Sequence, residues 1–242
     1  MRSGKLKIFT LAAAAAAAAL RYAHYTLGTD GRGLLVRFHW SVIVLLVLCA
    51  GFAAVLLSLR KDETPDNAPA ALPAAVGCLA LAAAVVVTVL GSGKPELPME
   101  LLLWALGLVS AIALLGCAAC HLLGKQPPAL FYGALCLYIT LRLIDRYRLW
   151  SADPQLQDYA FYLCAHLAVM LAAYNRGALT AGIGNPRAHL LWSLSAVFLC
   201  CAALPRCEEW LFPGACALWA LTGLPAALTP CPRPHRAPKE EA

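Results

Sequence analysis

The sequence predicts an all-α fold: a single polytopic bundle of about eight transmembrane helices. Of the 242 residues, 61% are hydrophobic and 13% are charged, whereas soluble domains average about 45–50% and about 25%. The chain also contains long stretches without Asp, Glu, Lys or Arg. A charge near the centre of a bilayer costs about 2.5–3.5 kcal/mol, so such stretches mark candidate spans. Together these observations exclude a disordered chain and disfavour an ordinary soluble domain.

Eight charge-free stretches define the predicted spans. A helix needs about 20 apolar residues to cross a bilayer. The second, third, fourth and eighth stretches are long enough, and the sixth and seventh are adequate. The first and fifth must borrow flanking residues, which draws Arg21 and Arg142 towards the membrane. The stretches are 8–20, 38–59, 67–93, 101–124, 126–141, 159–175, 188–205 and 210–232.

The composition of the first three spans predicts their depth in the bundle. Spans one and three are rich in alanine and glycine, and small residues let helices approach closely in lipid. We therefore expect these two inside the bundle and the Leu/Val-rich second span facing lipid. Residues 1–230 are predicted to form one transmembrane domain, and the Pro-rich, charged segment 231–242 a disordered tail.

The first stretch has a second interpretation. Basic residues precede an apolar, alanine-rich segment, which is typical of a signal peptide. Cleavage would leave seven spans. We expect an uncleaved helix, because a strong span follows so soon and needs no separate signal.

The positive charges predict the orientation and the partners. With a cytoplasmic N-terminus and eight spans, 11 of the 19 Lys and Arg residues fall on the inner side and 8 on the outer side. This excess agrees with the positive-inside rule and predicts a cell-membrane protein. The net charge of +6 favours contact with anionic lipid. We expect membrane lipids, and a protein partner or a second copy of the chain, as partners, and no nucleic acid.

A polar cluster ends the fifth span. Arg142 and Asp145 are three residues apart, so they can pair on one helix face, with Arg146 beside them. An ionisable group at membrane depth is a functional hypothesis by default. The alternative, which we favour, is a solvated helix end whose arginines reach the lipid headgroups.

Three further residues are candidates for polar groups within the membrane. Arg21 and His24 close the first span, and His166 lies in the middle of the sixth. A lone histidine in a span usually forms a hydrogen bond with a neighbouring helix. Ligation of haem b by His24 and His166 is an alternative, but nothing in the sequence brings the two together.

The cysteines include one recognisable pattern. Cys117, Cys120 and His121 match C-x-x-C-H, which attaches c-type haem. The predicted topology puts this motif on the inner side, whereas haem is attached covalently outside the cytoplasm. We therefore interpret the residues as two packing cysteines and an interfacial histidine. Most of the 11 cysteines fall within spans, where free thiols pack as small hydrophobes. We expect no metal and no cofactor.

Two segments resemble a group of uncharacterised multi-pass membrane proteins of clostridial bacteria. They are Arg21–Trp40 (RYAHYTLGTDGRGLLVRFHW) and Trp150–Tyr159 (WSADPQLQDY), the second followed by a helix ending AAYNR. The resemblance implies a bacterial inner membrane and no particular activity. Both segments fall on predicted outer loops. A site there would be assembled from Asp30, Arg32, Arg142, Asp145, Trp150, Asp153 and Asp158.

The leading functional hypothesis is a non-enzymatic accessory or interaction protein. The sequence has no nucleotide-binding loop, no convincing metal set and no nucleophile with a positioned base. A small-solute transporter or channel is the alternative, and it needs polar residues around a midplane cavity. Midplane polar residues are few, namely Thr88, Ser110, Thr140, His166 and Ser195. A membrane-embedded lipid-modifying enzyme comes third, with the Arg142/Asp145 cluster as its only acid–base candidate.

Overall fold

The computed structural model describes residues 3–28, 40–58, 71–91, 93, 98–150, 159–206 and 210–224. Within these ranges every element is helical, which confirms the all-α prediction. The elements are eight α helices and one 3-10 turn at Leu204–Arg206. The α helices are α1 (Ser3–Leu27), α2 (Trp40–Leu57), α3 (Ala71–Gly91), α4 (Pro98–Leu122), α5 (Ala129–Trp150), α6 (Ala160–Thr180), α7 (Pro186–Ala203) and α8 (Leu211–Gly223).

Several predicted features lie outside the described residues. They are the tail at 231–242 and the loop residues Asp30, Arg32, Asp153 and Asp158. The backbone of Trp150 ends α5, and its side chain is likewise outside the described part.

Four helices are long and apolar enough to cross a membrane: α1 from Leu6 onward, α3, α4 and α7. Helices α2 and α8 are apolar but shorter. The charged residues of α5 all lie in its second half, from Arg142 onward. The structure therefore supports a membrane helix bundle in which four helices are candidate spans.

Helices α3 to α8 form a bundle around one continuous core. Helix α3 packs against α4 and α8, α5 against α4 and α6, and α7 against α6 and α8. The core is made mostly of alanine, leucine and valine side chains, with Leu81, Leu114 and Leu135 fully buried. Small residues on all six helices allow this close packing.

Helices α1 and α2 lie to one side of this bundle. They share a second core with α7, which includes Ala17, Leu45 and Phe198. Helix α1 packs between α2 and α7, and its Ala14 also belongs to the main core, so α1 lies at the side of the main bundle with helices on two of its faces. Its alanine face is buried against these neighbours. Helix α2 is the peripheral one, as predicted, because its main neighbour is α1 and a row of its large apolar side chains is exposed.

Helix α1 also extends further than predicted. The charge-free stretch ended at residue 20 and was expected to lead into a polar loop at 22–40. The helix instead continues to Leu27. The helix includes Arg21. The guanidinium of Arg21 lies against the rings of Tyr25 and Phe161, so it is stabilised by the protein and does not have to reach water.

The contact between α3 and α8 depends on a glycine. A Cβ atom on Gly77 would lie 3.1 Å from the Cα atom of Trp219 and would collide with Thr222. Gly133 is the matched opposite case, because it is exposed on α5 with nothing within 4 Å of the position a Cβ would take.

We expect Gly77→Ala to destabilise the protein by about 1–3 kcal/mol, because the methyl group overpacks the α3–α8 contact. Gly133→Ala should stabilise it by up to about 1 kcal/mol through helix propensity alone. The measurement is the thermal unfolding midpoint in detergent. A Gly77→Ala protein as stable as the wild type would contradict the close approach of α3 and α8.

Candidate functional site

Two buried arginines dominate the polar interior of the bundle. Arg142 on α5 and Arg176 on α6 are each only 2% exposed, and each guanidinium lies against aromatic rings. Arg142 meets the first turns of α6 and α8 through Tyr162 and Phe212. Arg176 meets the last turn of α4 and the first turn of α5. The two therefore lie at opposite ends of the bundle.

The Arg142 cluster comprises Arg142, Tyr138, Tyr162, His166 and Phe212. The Nη1 atom of Arg142 donates to the hydroxyl of Tyr138 at 3.2 Å, and Nη2 donates to that of Tyr162 at 3.3 Å. The guanidinium carbon lies 4.4 Å from the centre of the Phe212 ring. Both hydroxyls accept and the ring face is negative. The guanidinium is therefore solvated by protein groups in place of water.

His166 completes this cluster. Its ring packs 4.2 Å from that of Tyr162 and 5.4 Å from that of Phe212, centre to centre. Its Nδ1 atom lies 2.9 Å from the carbonyl oxygen of Tyr162, one turn earlier. A carbonyl only accepts, so Nδ1 donates. The histidine is thus bonded within its own helix, which corrects the expectation of a bond to a neighbouring helix.

The structure corrects the interpretation of Arg142 as part of a solvated helix end. Arg142 is turned into the bundle, and its hydrogen-bond partners include two tyrosine hydroxyls. Asp145 and Arg146, one turn further on, are only half-buried. Sequence spacing suggested an Arg142–Asp145 pair because both fit one helix face. The interior face offers Arg142 aromatic partners that spacing along one helix cannot show.

Arg21 and His24 lie at the same end of the protein as Arg142. The guanidinium carbon of Arg21 lies 4.8 Å from the centre of the Phe161 ring, and Phe161 precedes Tyr162 in the first turn of α6. Arg21 also donates to the hydroxyl of Tyr25. The ring of His24 stacks on that of Tyr25 at 5.7 Å. The two clusters therefore lie at one end of the protein.

The Arg176 cluster lies at the other end and comprises Arg176, His121, Tyr132, His189 and Trp219. The Nη2 atom of Arg176 lies 3.2 Å from Nε2 of His121. A guanidinium only donates, so Nε2 accepts and the imidazole is neutral. The guanidinium carbon lies 5.4 Å from the centres of both the Tyr132 and Trp219 rings.

The last residue of α8 closes over this guanidinium. A Cβ atom on Gly223 would collide with Nη1 of Arg176. Glycine is therefore required where α8 passes the charge. The contact ties the end of α8 to α6.

The C-x-x-C-H motif belongs to this second cluster. Cys117 is buried in the core and Cys120 is half-buried. The Nε2 atom of His121, which would face a haem iron, is occupied by Arg176. This arrangement agrees with the interpretation of packing cysteines, but His121 is buried against Arg176 and is not an interfacial residue. In the described part of the chain, no group of three or more His, Cys, Asp or Glu residues is placed to hold a metal ion.

Sequence analysis missed Arg176 as a site residue. It follows the sixth charge-free stretch directly and was placed on the inner side as a loop charge. Helix α6 instead continues to Thr180, which keeps Arg176 within the bundle. The available signal was the set of aromatic and histidine residues at the matching ends of α4, α5 and α8.

The fold and the two clusters define a class, an all-helical membrane-type bundle with buried arginines at both ends. No family model, curated protein or solved structure matches the chain. The resemblance to the clostridial group stays a prediction.

A pair of tyrosine variants tests the description of the Arg142 cluster. Tyr138→Phe removes a hydroxyl that accepts from Arg142, and we expect it to destabilise the protein by about 1–3 kcal/mol. Tyr132→Phe is the matched control. The hydroxyl of Tyr132 is buried with only the thiol of Cys117, a weak acceptor, beside it among the described residues, so its loss should cost less than about 1 kcal/mol. Thermal unfolding in phosphate-free detergent buffer measures both, and equal destabilisation would refute the distinction.

Proposed function

We propose that the chain is an integral membrane protein of eight spans, with its N-terminus in the cytoplasm of a bacterial cell. We further propose that it acts without catalysis, as an accessory or interaction protein within the membrane. Four long apolar helices support the membrane location. The two arginine clusters at opposite ends of α3–α8 support a bundle whose polar groups lie near its two faces.

The apolar middle of the bundle is the observation that carries this proposal. Between the two clusters the helices meet mainly through alanine, leucine, valine and cysteine side chains, and the hydroxyl of the buried Ser110 donates to the backbone carbonyl oxygen of Ala134. Such packing holds helices in a fixed arrangement. A solute pathway needs polar groups around the midplane instead. The packed middle therefore favours association over transport.

A small-solute transporter is the second candidate. The buried arginines favour it, because intramembrane cations often mark an ion or substrate pathway. Arg142 and Arg176 would then bind an anion in turn from the two sides. A lipid-modifying enzyme has less support, because Arg142 faces the bundle interior and not the half-buried Asp145.

Epitope tags in three turns test the eight-span topology. We insert one short tag after Gly93, Lys125 or Ile183, which follow α3, α4 and α6. The tag after Gly93 should be accessible in intact spheroplasts, and the other two only after permeabilisation. Tags after Gly93 and Lys125 that behave alike would show that α4 does not cross the membrane.

Photocrosslinking and flux separate the two functions. A crosslinker at Val47 on α2, 67% exposed, should capture another polypeptide in native membranes, whereas one at Leu45, 2% exposed, should give only internal crosslinks. Liposomes containing the protein should show no anion flux above protein-free liposomes. Flux that disappears in Arg142→Gln or Arg176→Gln, with only lipid captured at Val47, would favour the transporter instead.

A further inference from the structure

We propose that the Arg176 cluster is a binding site for a phosphate oxyanion, either free phosphate or the phosphate of a phospholipid headgroup. This goes beyond the accessory role. Only its lipid form rests on the proposed membrane location.

The positive charge of Arg176 has no carboxylate within reach among the residues that the structure describes. The only acidic residues in those ranges are Glu100 and Asp145. Glu100 lies in the first turn of α4, whereas His121 lies in its last, about 31 Å away along the helix. Asp145 lies about 20 Å along α5 from Tyr132. Arg176 instead contacts the neutral imidazole of His121 and the ring faces of two aromatic residues, Tyr132 and Trp219.

Two donors beside Arg176 also lack an oxygen or nitrogen acceptor among the described residues. They are the hydroxyl of Tyr132 and the indole Nε1 of Trp219, on side chains that are each 1% exposed. In this part of the chain each meets only a thiol, that of Cys117 for Tyr132 and that of Cys78 for Trp219, and sulfur is a weak acceptor. Buried polar groups in native proteins nearly always have partners, so two donors that meet only thiols beside one cation call for an explanation.

His189 adds a third polar group. Its buried ring lies beside the hydroxyl of Ser193 and the backbone of Ala172, within electrostatic range of Arg176. It comes from the first turn of α7. Helices α5, α6, α7 and α8 therefore each contribute a polar group at this end of the bundle.

The chemistry of these groups selects the ligand. A guanidinium and an indole N–H only donate, and the hydroxyl of Tyr132 is available to donate. Their common partner must present several acceptor oxygens and a negative charge. Phosphate satisfies both requirements, and arginine matches its geometry well. The shared chemistry is a tetrahedral oxyanion.

The position of the cluster suits a headgroup. Arg176 lies four residues, or about 6 Å, before the end of α6. Gly223, the last residue of α8, packs against Nη1 and closes that side of the guanidinium. Lys125 and Arg187 are exposed at the same end of the bundle, where they attract anions without forming part of the cluster.

The test uses the purified, delipidated full-length chain in detergent. Inorganic phosphate is titrated against chloride at equal ionic strength, and thermal unfolding reports binding. In parallel, phosphatidylglycerol is added and native mass spectrometry counts retained lipids. We expect saturable binding of at least one probe. Arg176→Gln should weaken it about tenfold or more, the loss expected for a charge-assisted hydrogen bond.

Tyr132→Phe gives the sharper test, because it should affect the stability of the ligand-free protein and the affinity for the anion in different ways. It removes only a hydroxyl, so the ligand-free protein should be nearly as stable as the wild type. The same variant should bind the anion several-fold more weakly. This variant decides the question even if Arg176→Gln does not fold. Lys125→Gln and Arg187→Gln are the matched controls, and both should bind like the wild type.

Each outcome is decisive. Binding of phosphate identifies a free oxyanion site, and binding of phosphatidylglycerol alone identifies a headgroup site. No saturable binding of either probe overturns the proposal. So does binding that Tyr132→Phe leaves unchanged, or that Lys125→Gln weakens as much as Tyr132→Phe does. The phosphate titration is independent of membrane topology, so failure of the proposed accessory role would leave its result standing.

Discussion

The burial of two guanidinium groups in an apolar bundle is the constraint on which the rest of the structure depends. A cation removed from water must be solvated by the protein, or the helix that carries it cannot stay inside. Arg142 is solvated by two tyrosine hydroxyls and one aromatic ring, and Arg176 by one imidazole and two aromatic rings. Each arginine and its aromatic partners lie on α5, α6 and α8, so the three helices must converge at both ends. The register of α8 is fixed between them, with Phe212 at one cluster and Trp219 at the other.

The middle of the bundle contributes in a different way. Its helices associate through small side chains, and Gly77 marks where α3 approaches α8 most closely. Such contacts depend on van der Waals packing, because lipid provides little hydrophobic drive between helices. Helix faces made of small side chains allow many alternative arrangements of the same helices. The arginine clusters reduce that freedom, since each charge is satisfied in only one arrangement.

This division explains what the sequence could predict. The cost of charge in lipid is a property of single residues, so charge-free stretches located all eight helices.

The same rule misplaced helix ends, because it treats every arginine as a stop. Helix α1 continues past Arg21 to Leu27, and α6 past Arg176 to Thr180. In both cases the arginine is accommodated by rings from other helices. Such partners come from other helices, so the spacing of residues along one helix cannot reveal them. The spacing of Arg142 and Asp145 likewise could not reveal the tyrosine partners of Arg142.

The two clusters differ in a way that bears on function. At Arg142 two tyrosine hydroxyls turn towards the guanidinium and accept from it. At Arg176 the two aromatic residues offer ring faces to the cation, and their own donors meet only thiols among the described residues. An excess of donors around a cation is unfavourable in an apolar interior unless an acceptor joins it. The same residue type thus serves two purposes. Arg142 joins α5 to α6 and α8 through acceptors that the protein provides, whereas Arg176 and the donors around it form a contact that we propose an anion completes.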